Sequence, residues 1–268
     1  VDRDTQTKAA HKRPERLAEA PEPTEKTVGS LSLEGQCIEQ IAAFTETRKG
    51  DIAAALRPRG TGRWRLNETL SGVLHSHSAA ILMIPLGTPQ KAGRGVRRIL
   101  VPMDGSARAE TALPRAVALA KAEKANLVFC YVAPEAGLAE VGIMDSKDIA
   151  LQEQVVKRNA RAGEAYLKRI TNSLAHHDLN ISTLIIAGCD ARRALLRDAS
   201  QKEADFLVMA THGQSGHSDV PTGDVASFIL DRAEIPVLMV RHRGIAASHH
   251  TTEPVVSTGV RQPTGTDP

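Results

Sequence analysis

Apolar residues fall along this chain in two kinds of run, and their alternation predicts the architecture. RILVPM at Arg98 to Met103 and NLVFCYV at Asn126 to Val132 are nearly continuous apolar segments, the pattern of parallel strands buried on both faces. Ile181 to Ala187, Asp205 to Ala210 and Ile235 to Arg241 continue the series as a third, fourth and fifth strand. Helical spacing fills the intervals. Ala109, Ala112, Leu113, Ala116 and Ala120 share one face after a turn at Asp104-Gly105-Ser106, where Ser106 can cap and Pro114 implies a kink. A long helix is expected from about Ser146 to His176, with Val156, Ala160, Gly163, Leu167, Ile170 and Leu174 stepping by four and three. Asp190 caps the helix ARRALLRDASQK. Strands alternating with helices imply a right-handed, doubly wound parallel sheet.

The first third of the chain carries a weaker version of the same signal. TVGSLSL at Thr27 to Leu33 alternates like a short strand, and after Gly35 a helix places Ile38, Ile41, Ala42 and Thr45 on one face. DIAAAL at Asp51 to Leu56 reads as an alanine-rich strand, Asn67 to His75 as a helix, and Ala79 to Pro85 as a final strand. Residues 1–26, broken by Pro14, Pro21 and Pro23, are expected to form a flexible lead segment, 87–96 a linker, and 243–268 a disordered tail. The two structured stretches, 27–86 and 97–242, match over their later halves, so 27–86 reads as a partial copy of the complete domain. It lacks the opening strand, helix and strand that Arg98 to Val132 supplies, and it is expected to lean on the second copy or on another chain.

Composition narrows the classes. Of 268 residues only 3% are aromatic, which leaves no platform for stacking bases, and 34 basic against 31 acidic side chains imply no electrostatic partner. No nucleic-acid partner is expected. Cys37, Cys130 and Cys189 stand far apart, without metal-ligand or disulfide spacing, and read as core or loop residues. No apolar run reaches bilayer-spanning length, and the N-terminal stretch has no signal-peptide core. The expectation is a cytoplasmic protein without membrane contact. Arg57, Arg59, Arg63 and Arg65 around Trp64 read as a solvated loop, and His242, His249 and His250 as incidental.

The candidate chemistry lies at Ala210 to Asp224, ATHGQSGHSDVPTGD, between the strand DFLVMA and the helix VASFIL. A buried strand that empties into a glycine-bearing loop and then a helix exposes backbone N–H groups at one sheet edge, an anion site by construction. Gly213 and Gly216 are candidates for that backbone. Asp224 is either a helix N-cap or an obstacle, since an ionised carboxylate only accepts hydrogen bonds and repels polyphosphate. His212 has no identifiable Ser or Cys partner and reads as a hydrogen-bonded loop imidazole. No catalytic set is legible.

RRILVPMDGS at Arg97 to Ser106, ADFLVMATHGQSG at Ala204 to Gly216, GDVASFIL at Gly223 to Leu230 and PVLMVR at Pro236 to Arg241 together resemble the universal stress protein family, of a tandem type with a truncated, degenerate first repeat. The resemblance implies an adenine nucleotide alpha hydrolase-like α/β fold, a five-stranded parallel sheet of order 3-2-1-4-5. It also implies pairing through the last strand, either in a homodimer or between repeats, which would set Ala79 to Pro85 beside Ile235 to Arg241. ATP-binding members carry a glycine, two residues, a glycine, nine residues, then glycine and Ser or Thr. Ala210, Gly213, Gly223 and Asp224 stand at those positions, so the spacing is kept and the final hydroxyl is not.

By the same resemblance Asp104 would contact ribose or base, Val132 would line the adenine pocket, and Gly213, Gly216, Gly223, Asp224 and Val225 would face phosphate. ATP is then the expected cofactor, weakened by Asp224. Asp219 and Asp224 holding a bridging metal is the weaker alternative, and no dedicated metal site is expected. Asn67-Glu68 occupy the corresponding place in the first copy, which is not expected to bind ATP. The implied function is a non-enzymatic stress-response or regulatory protein acting through dimerisation. The alternatives are an ATP-binding switch or slow ATPase, and a module that docks an unidentified protein partner through its partial repeat and arginine loop.

Overall fold

In a computed structural model, the residues described are 52–57, 80–86, 95–134, 145–214 and 222–241. Within them seven strands form one sheet: β1 Ile52–Arg57, β2 Ala80–Pro85, β3 Arg98–Met103, β4 Asn126–Ala133, β5 Ile181–Ala187, β6 Phe206–Ala210 and β7 Val237–Val240. The helices are α1 Ala107–Glu110, α2 Leu113–Glu123, α3 Ser146–Ser173, α4 Ala191–Gln201 and α5 Asp224–Arg232. The strand order is β1-β2-β7-β6-β3-β4-β5. From β7 to β5 all neighbours run parallel, which is the expected five-stranded order 3-2-1-4-5. The sheet is larger than five strands because β2 lies antiparallel on the outer edge of β7, with Leu82 opposite Leu238, and β1 runs parallel to β2.

The apolar runs are buried on both faces, as their continuity requires. Ile99, Val101, Met103, Leu127, Phe129, Val208 and Leu238 meet α1, α2 and α3 on one face. Leu100, Val128, Cys130, Leu207, Met209 and Met239 meet α4 and α5 on the other, where Ile81 and Met83 of β2 extend the same core. Ile99, Leu127 and Phe129 are fully buried, and each such side chain contributes about 1.5–3 kcal/mol over its exposed state.

Local sequence sets the helix boundaries. The Ser106 hydroxyl accepts from the Ala109 N–H, and the expected kinked helix is two helices, with Pro114 in the first turn of α2, where its missing N–H costs nothing. Asp145 and Asp148 form a capping box at the start of α3, which ends at Ser173 rather than His176. The Asp190 carboxylate accepts from the Arg192 N–H, capping α4 as expected. Gly163 has a packing reason: a Cβ there would lie 2.3 Å from the Tyr131 ring, so its bare backbone lets α3 press onto β4.

Arg57 departs from its reading as solvated surface. It is the last residue of β1, and its guanidinium donates to the carbonyls of Asp231 and Ala233. Those carbonyls belong to the C-terminal turn of α5, which has no intrahelical donors for them and carries the negative end of the helix dipole. Burial pushes the Arg57 pKa down, partly opposed by Asp231 and Glu234. The lead segment, the strand at Thr27 to Leu33, the helices expected after Gly35 and at Asn67 to His75, most of the linker, Arg59 to Arg65 and the tail with its histidines lie outside the described residues.

Two substitutions test this packing. Gly163→Ala should lower stability by about 1–2 kcal/mol in urea denaturation, although alanine is the better helix former, because the methyl group meets Tyr131. Arg57→Leu keeps the apolar stem and removes the donors, and it should cost about 1–3 kcal/mol with faster amide exchange in the last turn of α5.

Candidate functional site

Parallel strands whose connections leave to opposite faces open a crevice at their carboxyl ends. Here β3 runs on into α1 and α2 on one face, while α5, which follows β6, packs on the other. Between them lies a cleft of about 300 Å³, at the lower end of the range for small-molecule sites. Its walls include Met103 and Asp104 from the end of β3, Cys130 and Val132 from β4, Met209 to Gly213 from β6 and its loop, Ala191 and Leu195 from α4, and Thr222 to Ala226 at the start of α5.

Of the residues expected at the site, Asp104, Val132, Gly213, Gly223, Asp224 and Val225 are brought together around this cleft. Gly216 lies outside the described residues, as does Asp219.

Asp104 is a cross-brace between two loops. Its Oδ1 accepts from the Ser106 N–H at 3.0 Å and the Ser106 hydroxyl at 2.6 Å, and its Oδ2 accepts from the Gln214 N–H at 2.7 Å. The turn requires Gly105, whose φ of 87° is in the left-handed region. Gly213 is needed for a related reason: a Cβ there would sit 2.1 Å from Asp104 Oδ2. A close carboxylate accounts for that glycine.

The far end of the loop is fastened by backbone. Thr211 N–H donates to Val240 O at 2.9 Å and Gly223 N–H donates to Thr211 O at 2.8 Å, while the Thr222 and Ser227 hydroxyls pair at 2.6 Å. The expected N-cap at Asp224 is corrected here. The cap of α5 is Gly223, without a capping side chain, and Asp224 is the first helical residue. The reason is the hydrogen-bond register: Ser227 N–H donates to Gly223 O, which starts the helix one residue earlier than a capping Asp224 would. Asp224 is exposed, and its charge lies at the positive end of the helix dipole. His212 Nδ1 stands 3.0 Å from Thr211 Oγ1, in keeping with a hydrogen-bonded loop imidazole.

Sequence reasoning missed what surrounds Asp224. Asp190 and Arg192, at the start of α4, make a close ion pair, Nη2 to Oδ2 2.6 Å, with Nε 3.1 Å from both carboxylate oxygens. The Arg192 side chain holds Asp190 down to about 2. Asp190 in turn pushes the Arg192 pKa up, and Asp224 adds a smaller push in the same direction. The cap signal at Asp190 was legible, but not the approach of α4 to α5 that brings Arg192 within electrostatic reach of Asp224. Cys130 is buried and contributes to the wall, its thiol pushed up to about 12, chiefly by burial. Among the described residues no group of three His, Cys, Asp or Glu is placed to hold a metal ion, and no helix is long and apolar enough to cross a membrane.

The fold and its crevice define an open, doubly wound α/β protein with a ligand-sized cleft at the topological switch point. The chain belongs to the universal stress protein family, whose family model matches residues 95–241. It is 28% identical over 148 residues to a universal stress protein of Methanocaldococcus jannaschii, a match covering 54% of this chain and 82% of that relative. It is 27% identical over 147 residues to universal stress protein YxiE of Bacillus subtilis, covering 54% of this chain and 98% of that one. The crystal structure of a universal stress protein from Archaeoglobus fulgidus superposes with a TM-score of 0.65 at 17% identity, over 90% of this chain and 80% of that one, a likeness of fold.

The brace predicts a coupled pair of variants. Gly213→Ala should destabilise by about 1–3 kcal/mol, because the new methyl displaces the Asp104 carboxylate. Combined with Asp104→Ala, the two losses should be clearly less than additive in denaturant titrations, and strict additivity would show that the two residues do not act on each other.

Proposed function

We propose that this chain is a non-enzymatic, cytoplasmic stress-response protein whose nucleotide cleft is degenerate, with strand pairing rather than catalysis as its means of action. The single observation that carries the reading is Asp224 at the first position of α5, beside a cap without a side chain. Backbone N–H groups of a first helical turn attract phosphate, but here a carboxylate shares their field and repels an incoming anion. His212, the imidazole at the cleft, is hydrogen-bonded to Thr211, which is 1% exposed and poorly placed as a nucleophile. We read residues 27–86 as a partial repeat and 97–242 as the complete domain, between the lead segment, linker and tail. The antiparallel contact of β2 with β7 supports pairing of last strands within one chain.

An ATP-binding switch or slow ATPase is the competing reading, favoured by the retained Gly213 and Gly223 and by the cleft itself. Titration calorimetry with Mg-ATP at near-physiological salt, on the natural protein and on Asp224→Ser, separates the two. A silent natural protein and a binding variant are expected. Micromolar binding by the natural protein would establish the switch instead.

A further inference from the structure

We propose that the outer edge of β1 docks a second copy of this chain, the two β1 strands pairing antiparallel about a two-fold axis at Ala54 and joining both sheets into one. β1 ends the sheet, and among the described residues no strand lies beyond it. The Leu86 N–H donates to Arg57 O at 2.8 Å, so Arg57, and by alternation Ala55 and Ala53, turns its backbone polar groups toward β2. Those of Ile52, Ala54 and Leu56 therefore point to the open edge. Natural edges are blunted by Lys, Pro or a bulge, and β1 has none of these. β5, at the opposite edge, carries Ser182 and Thr183 outward, whereas Ile52 and Leu56 of β1 are 49% and 59% exposed.

The sequence from Asp51 to Arg57, DIAAALR, commits that edge to a second copy because it complements itself when set against its own reverse. About Ala54, Ile52 meets Leu56 of the second copy, Leu56 meets Ile52, and Ala54 meets Ala54, each pair exchanging both N–H···O bonds. This register uses the outward-pointing backbone groups and leaves the β2 ladder untouched. Ile52 and Leu56 then lie side by side across the seam, as favourable cross-strand pairs do. Asp51 lies outside the described residues, but the same register carries it opposite Arg57 of the second copy, so the two ends of the seam are complementary in charge. A guanidinium has five N–H donors, and those that Arg57 gives to α5 leave others for a carboxylate. Such a contact is isologous and closes at two copies. A six-residue strand is only about 20 Å long, so the seam is small beside the roughly 1,200–2,000 Å² of a stable interface, and the dimer should dissociate at about 10–500 µM.

The test is sedimentation velocity of the full chain from about 1 µM to about 1 mM, a range that brackets so weak a dimer, beside amide exchange by NMR at both extremes. A monomer should give way to a dimer as concentration rises. Ala54→Lys sets like charges on the two-fold axis, and it should weaken the dimer by about tenfold or more with an unchanged thermal melt. In the natural protein the N–H groups of Ile52, Ala54 and Leu56 should exchange fast when dilute and slowly when concentrated, while those of Ala53, Ala55 and Arg57 stay slow in both. A monomer throughout the range, or a dimer indifferent to Ala54→Lys, overturns the proposal. Slow exchange at Ile52, Ala54 and Leu56 in dilute protein also overturns it, because another part of the same chain would then already hold the edge.

Discussion

The adjacency of β3 and β6 is the constraint on which the rest of the molecule depends. Two parallel strands side by side, their following helices packed on opposite faces of the sheet, cannot close the space above their carboxyl ends. The sheet is buried on both sides because helices cover each face, so the crevice is where backbone polar groups meet solvent without unravelling the core. Asp104 spans it. One carboxylate fixes the turn after β3 and the loop after β6 in a single geometry, and that geometry requires glycine at 213.

The two strands outside the family-matched region are integrated by different physics. β2 adds an antiparallel ladder to β7 and pushes Ile81 and Met83 into the core beneath α5. β1 adds Arg57, which satisfies carbonyls at the end of that same helix. Apolar burial and charge-assisted capping therefore converge on α5, whose opposite end forms one wall of the cleft. A single nine-residue helix links the seam of the sheet to the site.

Most of the strand framework was legible in the sequence because burial on both faces leaves nearly uninterrupted apolar runs, as at Arg98–Met103 and Asn126–Ala133. Caps formed within a few residues were equally legible, as at Ser106 and Asp190. What escaped was set by contacts distant in sequence. Gly163 reads as one of the small residues that let its helix approach the sheet, and what escaped is only its partner, the Tyr131 ring. Arg57 looks like a loop cation until α5 arrives beneath it. The register of α5 was misread by one residue because a glycine and an aspartate both suit a helix start, and only the hydrogen bonds to Gly223 O and Thr211 O decide between them. At the site the expected residues that are described line one cleft, yet the Asp190 and Arg192 pair at the start of α4 depends on two helix N-termini meeting in space.

The β2 and β7 pairing also carries a consequence for dilution. An exposed sheet edge invites pairing with another molecule, an encounter whose frequency rises with protein concentration. Here the complementary strand is tethered to the same chain, so its effective concentration is set by the polypeptide between Pro85 and Val237 and not by how much protein is present. The outer edge of β7 is accordingly covered in one isolated molecule as fully as in a crowded solution.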